Sequence, residues 1–339
     1  MSARLRRVTI GAKYKAMTGA LRAAVVGLGY FGKFHAKHYA AHPDADLVAV
    51  VDADPARAAK LAAEYGAEPL TDYHQLAGKV DVVSIAVPTS AHFQVARDLL
   101  KAGLHVLVEK PITDTVEHAE ELIACAKAKN LVLQVGHIER FSAAFRALSD
   151  KIKRPVYFES YRISPFKPRA TDVDVVLDLM IHDIDIILGL AGSKVISVSA
   201  VGAPVLNPTE DLANARIEFA NGAVANVTAS RISGKTERRI RIFQPDCYVV
   251  CDFNESRIVR FNRKGNPETE GLAAIEMETW DIPKEDSLYN EITEFLDCVC
   301  GKRVPTVDGM VGREALRVAS MITDNLRAHR RRIESELVE

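Results

Sequence analysis

Long apolar runs are missing from this sequence: none approaches the ~20 residues that a membrane-spanning helix needs. An excess of one charge is missing too. Lysine and arginine number 44 against 45 aspartates and glutamates, a net charge of -1. Both signs are spread along the chain, which excludes the basic footprint of a nucleic-acid binder. Cysteine is scarce. The five cysteines, at 125, 247, 251, 298 and 300, form no Cys-x-x-Cys pair and no Cys/His cluster with zinc spacing. We therefore expect no metal and read them as reduced thiols of a cytoplasmic protein, an exported disulfide-bonded chain being the alternative. Internal repeats and low-complexity tracts are absent. The first 20 residues, MSARLRRVTIGAKYKAMTGA, are basic and lack the hydrophobic region of a signal peptide. They read as an extension outside the fold, with Met17 as an alternative start.

With 339 residues the chain is long enough for about two domains, each with its own core. Its most informative stretch is Leu21 to Asp52. Leu21 to Val26 is short, apolar and β-branched, and predicts a buried parallel strand. Gly27-Leu28-Gly29-Tyr30-Phe31-Gly32 follows with G-x-G-x-x-G spacing. Gly27 permits a tight turn, Gly29 lets a pyrophosphate approach bare backbone, and Gly32 lets the next helix pack close to the strand. That helix, from Tyr30 to about Ala41, offers phosphate its free N–H groups and partial positive charge. Leu47 to Val51 is a second apolar strand. It ends in Asp52, 20 residues after Gly32, where an acceptor for two ribose hydroxyls belongs. An anion there repels a 2′-phosphate, so the pattern predicts NAD(H) over NADP(H). The bland alternative is a glycine turn in a ligand-free βαβ unit, which the complete order of strand, glycines, helix, strand and acid opposes.

The alternation continues. Pro55 to Tyr65 predicts a helix capped by Asp54, and Val80 to Val87 a strand running into Pro88-Thr89-Ser90. A helix from Ala91 to Ala102 stops at Gly103. Leu104 to Val108 is a strand leading into Glu109-Lys110-Pro111. A helix from Thr113-Asp114 to Asn130 and a strand from Leu131 to Val135 complete a doubly wound parallel sheet. Pro88 and Thr89 fall at its carboxyl edge, where ligands collect. Lys110 follows a buried strand at the same edge, and Pro111 biases it to an extended conformation. Most lysines are solvated; this one is placed to hydrogen-bond a substrate oxygen and stabilise a developing alkoxide. Gly136-His137-Ile138-Glu139-Arg140-Phe141 ends the domain. His137 either touches the nicotinamide or satisfies a loop. Glu139 and Arg140 either pair with each other or hold substrate.

In the second half, Phe141 to Lys151 reads as a linking helix and Pro155 to Ile163 as a strand. The segment Asp172 to Leu190, DVDVVLDLMIHDIDIILGL, is helical by period. Asp178 and His182 are four apart and Asp185 three further on, so they share a face. Polar groups in so apolar a helix need partners or a task. An aspartate one turn before a histidine can hold the imidazole tautomer; a capped, exposed ion pair is the bland alternative. From Val195 the period becomes two, with strands expected at 195–205, 211–219, 223–230, 238–243 and 247–253, and a turn at Asn221-Gly222. One face of such a sheet takes the Asp178–His182 helix, and a partner subunit is the simplest cover for the other. Asp286 to Cys300 and Val311 to about Arg327 predict helices.

GLGYFG, PTSAH, VLVEKPIT and a helix with Asp178-x-x-x-His182 ahead of a β-rich half resemble the Gfo/Idh/MocA oxidoreductase family, over nearly everything after residue 20. GHIERF and SPFKPRATDVDVVLDLMIHDIDIIL resemble the branch that includes UDP-N-acetylglucosamine 3-dehydrogenases. Ser142-Ala143 departs from the Asn-Pro of many relatives, which touches only the local loop. The resemblance implies an α/β plus α+β fold: an N-terminal Rossmann sheet, doubly wound and parallel, then an α+β domain on a largely antiparallel sheet. We expect an extension at 1–20, an NAD-binding domain at 21–140, a substrate and oligomerisation domain at 141–310, and a helix at 311–339 bracing the first domain.

The same resemblance makes Lys110, Asp178 and His182 the catalytic set. NAD contacts are expected from Gly27, Gly29, Tyr30, Phe31, Gly32, Asp52, Pro88, Thr89, His92, Glu109, Lys110 and His137. Substrate contacts are expected from Lys110, Glu139, Arg140, Arg162, Arg169 and His182. The implied reaction moves hydride from a secondary hydroxyl of a sugar to NAD+, with a UDP-N-acetylhexosamine oxidised at C3 as the first candidate. His182 is the base, Asp178 orients it and Lys110 stabilises the alkoxide; Lys110 passing the proton itself is the other assignment. Arg162, Lys167 and Arg169 either bind a pyrophosphate or form a solvated basic loop. The competing readings are a dehydrogenase of a free polyol such as inositol and a non-catalytic NAD-sensing regulator. No nucleic acid or membrane is expected as a partner; a homo-oligomer, dimer or tetramer through the second sheet, is.

Overall fold

The computed structural model describes residues 19–166 and 174–336. The chain divides into two units, one formed by 1–136 with 288–310, the other by 137–287 with 311–339.

The first unit runs β1 (Leu21–Val26), α1 (Gly32–Ala41), β2 (Ala45–Val51), α2 (Pro55–Tyr65), β3 (Glu68–Leu70), β4 (Val82–Ile85), α3 (Thr89–Lys101), β5 (His105–Glu109), α4 (Val116–Lys129) and β6 (Leu133–Gly136). The six strands are parallel, in the order β3-β2-β1-β4-β5-β6. β4 is buried throughout, which is why its segment, VVSI, is apolar but for Ser84. The order reverses between β1 and β4, so the loops after these strands flank the crevice where open α/β sheets bind ligands.

In the second unit α5 (Ala143–Ser149) precedes β7 (Tyr157–Ile163) and α6 (Ile181–Ala191). The linking segment breaks at Ser142, whose hydroxyl caps α5 by accepting the Phe145 N–H at 3.1 Å. Then come β8 (Val195–Ala203), β9 (Leu212–Phe219), β10 (Val224–Ser230), β11 (Glu237–Phe243), β12 (Cys247–Asp252), β13 (Arg257–Arg263), the short α7 (Pro267–Glu270) and β14 (Ile275–Asp281). Eight strands pair in the order β14-β13-β12-β11-β7-β10-β9-β8, antiparallel except for β7 beside β10. Phe158, Val227, Ala215, Ile240 and Val249 point to one face, against Ile181, Ile184 and Ile187 of the α6 segment. Two strands beyond the five expected after Val195, β13 and β14, extend the sheet.

The last two helices, α8 (Ser287–Val299) and α9 (Gly309–Glu336), divide differently from the expected 311–339 brace. Residues 288–310 complete the first unit: Val135 N–H bonds the Val307 carbonyl at 3.0 Å, and Gln134 Nε2 bonds the Glu291 carbonyl at 3.1 Å. From Val311 onward the chain belongs to the second unit, where Ala315, Val318, Ala319, Ile322 and Leu326 of α9 enter the core. The helix expected from Val311 is present, but nothing in its sequence says which sheet it covers. Among the described residues no helix is long and apolar enough to cross a membrane.

Candidate active site

The glycine turn after β1 is shaped by steric limits. Gly27 has φ +87°, and a Cβ there would lie 2.7 Å from the Ala86 carbonyl. A Cβ on Gly32 would lie 1.7 Å from the Gly27 oxygen. Over Gly29 there is open space: a methyl group at that position would have no neighbour within 4 Å. The turn therefore presents bare backbone at the residue where a pyrophosphate approaches, beside the N-terminus of α1. Tyr30 and Phe31 stand at its rim, 65% and 41% exposed. Asp52, at the end of β2, is buried and accepts the Leu28 N–H at 2.7 Å. These groups fit a dinucleotide: an open turn for phosphates and a carboxylate for the ribose.

On the other side of the switch point, Pro88 caps α3 and half-buried Thr89 begins it. His92 is buried on that helix, with Nδ1 2.8 Å from the Pro111 carbonyl and Nε2 2.9 Å from the Val87 carbonyl. With both nitrogens facing backbone carbonyls and a single N–H to donate in its neutral form, the ring is packed between the β4 exit and the Lys110-Pro111 turn, away from the surface. Burial pulls its pKa down, against the two carbonyls and Glu109, which raise it. Glu109 is likewise turned inward. Its Oε1 lies 3.0 Å from His35 Nε2, and its Oε2 accepts the Lys110 N–H at 3.3 Å. His35 continues to Ser84 at 3.1 Å, and Ser84 to the Tyr39 hydroxyl at 2.9 Å. Burial alone would raise the Glu109 carboxyl, but His35 and the Lys110 charge hold it below the usual range. This buried chain fixes the backbone from which half-buried Lys110 projects. Sequence reasoning missed His35 and Ser84; the only signal was a histidine on the inward face of α1.

In the second unit the polar residues of the Asp178–His182 segment fall into two groups. Asp174 caps it, accepting the Val176 and Leu177 N–H groups at 3.0 Å. Val176–Met180 is a widened, π-helical turn before α6 proper, so Asp178 sits on a π-bulge of the kind often found at functional sites. Asp178 and His182 are half-buried, whereas Asp183 and Asp185 are 2% and 1% exposed. The two buried aspartates have structural partners. Asp183 takes Arg162 Nε at 2.8 Å, and Arg140 Nε lies 3.2 Å from Asp185. Gly189 makes room for Arg140, since a Cβ there would meet its guanidinium at 1.7 Å.

Two expectations change accordingly. Glu139 and Arg140 do not pair with each other: Glu139 takes Arg162 Nη1 at 2.9 Å, while Arg140 faces Asp185. Arg162 is no loop cation. It lies on β7, 4% exposed, with its guanidinium shared between Asp183 and Glu139, whose charges raise its pKa against the effect of burial. Its donors are committed to carboxylates, which removes it from the set available to a phosphate. Burial would raise Glu139, but the Arg162 charge outweighs it and holds that carboxyl low. His137 is buried at the start of this unit. Lys167 and Arg169 lie outside the described residues.

The model of the oxidoreductase family with an NAD-binding Rossmann fold matches residues 21–137, and that of the GFO/IDH/MocA C-terminal domain matches residues 134–249. The chain belongs to the Gfo/Idh/MocA oxidoreductase family. Within it, the chain is 40% identical over 303 residues to UDP-N-acetylglucosamine 3-dehydrogenase of Acidithiobacillus ferrooxidans, covering 89% of this chain and 96% of the relative. It is 33% identical over 334 residues to scyllo-inositol 2-dehydrogenase (NAD(+)) of Bacillus subtilis, covering 91% and 94%. A solved structure of the Acidithiobacillus ferrooxidans enzyme superposes with TM-score 0.87 at 39% identity, over 92% of this chain and 99% of that one. Levoglucosan dehydrogenase with NADH, 20% identical over 91% and 98%, shares the fold at TM-score 0.79. This member of the family is thus an NAD-dependent dehydrogenase.

Proposed function

We propose that this dehydrogenase oxidises the C3 hydroxyl of a UDP-N-acetylhexosamine to the 3-keto sugar nucleotide. The observation that carries the reading is the 40% identity, over nearly the whole chain, to an enzyme named for that reaction. Lys110 at the end of β5, and Asp178 and His182 on the π-bulge and first turn of α6, supply the side chains the chemistry needs.

His182 takes the proton of the substrate hydroxyl, and Asp178 holds the imidazole in orientation. Lys110 donates to the same oxygen as it gains negative charge. The glycine turn and Asp52 would hold NAD+, which would accept as hydride the hydrogen that carbon loses when its oxygen becomes a carbonyl. The His35–Glu109 chain keeps the Lys110 backbone in place while this happens.

With Arg162 committed, the substrate diphosphate needs other cations. A cavity of about 310 Å³ in the second unit is lined by Arg238 and Lys284, by the carboxylates Glu139 and Glu285, and by Ser142, Asn254 and Ser256. Arg238, half exposed, lies 3.8 Å from Glu139 and is the looser of that carboxylate's two arginines. Guanidinium and ammonium groups beside hydroxyls suit a diphosphate. One wall, Glu139, leads through Arg162 to Asp183, the neighbour of His182.

The face of the eight-stranded sheet away from α6 supports a homo-oligomer. A cross-strand row of Tyr157, Phe243, Tyr248, Phe261 and Met277 runs over it. Tyr248 stacks on Phe261 at 4.4 Å, and Met277 is 64% exposed. A row of this kind is covered most simply by a second copy. The need for an NAD+ pool and a sugar nucleotide supports a cytoplasmic enzyme. NADH formation across UDP-sugars and free polyols tests the substrate: a rate confined to inositol or other unphosphorylated polyols would reject the sugar nucleotide.

A further inference from the structure

The carboxylate of Asp52 is fully engaged. Its Oδ2 takes the Leu28 N–H at 2.7 Å and its Oδ1 the Asp54 N–H at 2.9 Å. Arg57 Nη1 donates across both oxygens, at 3.1 and 3.2 Å. A carboxylate offers about four lone-pair sites, and these contacts fill them. The backbone donors are fixed, one by the glycine turn and one by the entry to α2, where Asp54 caps the helix. Arg57 is the exchangeable donor: it sits in the first turn of α2 with half its side chain in solvent, and its other nitrogen lies 3.6 Å from Asp54. Two ribose hydroxyls arriving at Asp52 must therefore take the places that Arg57 holds.

We propose that Arg57 is a second specificity residue of the ribose site: it occupies Asp52 in place of the ribose and, when displaced, provides the cation for a 2′-phosphate, so that NADP(H) binds the same cradle as a weaker alternative to NAD(H). For an unphosphorylated ribose, displacing the guanidinium is a loss, and it weakens NAD(H). For a 2′-phosphorylated ribose, the guanidinium fork moves from one anion to another beside it and offsets the repulsion from Asp52. One side chain thus shifts both affinities, in opposite directions, and narrows the discrimination that the acid alone would impose.

Calorimetric titration with NAD+ and with NADP+, in the absence of substrate, tests this without turnover. Arg57→Ala is expected to bind NAD+ more tightly and NADP+ more weakly, raising the ratio of the NADP+ to the NAD+ dissociation constant by about tenfold or more. Arg57→Lys keeps the charge without the fork and should fall between the two. Should Arg57→Ala not fold, Arg57→Gln serves in its place, with thermal melting as the check. A ratio unchanged or lowered in these variants overturns the proposal, as does a wild-type protein that takes up no NADP+.

Discussion

Arg162 and Asp183 form a buried ion pair, Nε to Oδ2 at 2.8 Å, joining the middle of the second sheet to the helix that carries His182. Both side chains are shut off from water, at 4% and 2% exposure. The pair turns an arginine expected to meet phosphate into an internal strut, with Glu139 as its third member.

Removing one partner leaves the other charged and buried. Asp183→Ala is expected to destabilise the second unit by about 3–5 kcal/mol, read from the urea unfolding midpoint. A loss under about 1 kcal/mol, in the range of an exposed pair, would contradict the strut.

The three glycines of the turn differ in what a methyl meets. Gly29→Ala finds open space. It should leave the melting temperature in place and weaken NAD+ binding by about tenfold or more, because the methyl intrudes where phosphate approaches backbone. Gly32→Ala collides with the Gly27 carbonyl and should lose stability as well as binding. If Gly29→Ala binds NAD+ like the wild type, the pyrophosphate does not lie over Gly29.

His105 makes the first unit sensitive to acid. Its Nδ1 accepts the Val132 N–H at 2.9 Å, which requires that nitrogen unprotonated. Burial pushes its pKa down from 6.5 to about 4, partly opposed by Asp81. A depressed value in the folded state gives a contribution that is complete above 6.5 and declines as pH falls toward 4. Across that window the loss is on the order of 3 kcal/mol. His105→Gln should flatten the stability slope there; an unchanged slope would assign the acid sensitivity elsewhere.

Tyr248→Asp places a charge in the aromatic row of the open sheet face. Light scattering should show a smaller assembly than the wild type, with the near-ultraviolet spectrum otherwise retained. A wild-type monomer, or a mutant of unchanged mass, would exclude that face as the subunit contact.

The first unit was legible because its central parallel strands are largely buried and read as mostly apolar runs, and because the glycine spacing is fixed by close backbone approach. Strands β8 to β12 announced themselves by alternation. Strand β14, IEMETWD, misleads: Ile275 and Met277 face solvent while Glu276 and Glu278 are the more sheltered. Alternation also hid Arg162. In YFESYRI the inward positions are Phe158, Ser160 and Arg162, and nothing local says that a carboxylate waits across the layer. Glu139 and Asp183 lie 23 and 21 residues from Arg162, and only the packed fold brings them to it. His92 was hidden for the same reason, its partners being backbone carbonyls that carry no sequence signature.

The central claim is that Lys110 and His182 act on a sugar-nucleotide hydroxyl with NAD+ as acceptor. Its most direct test is the rate of NADH formation from UDP-N-acetylglucosamine by the wild type, Lys110→Met and His182→Ala, with NAD+ affinity measured in parallel. The account predicts turnover by the wild type and a fall of ~10² or more in each variant while NAD+ still binds. Near-normal rates in either variant, or no NADH from the wild type, would contradict it.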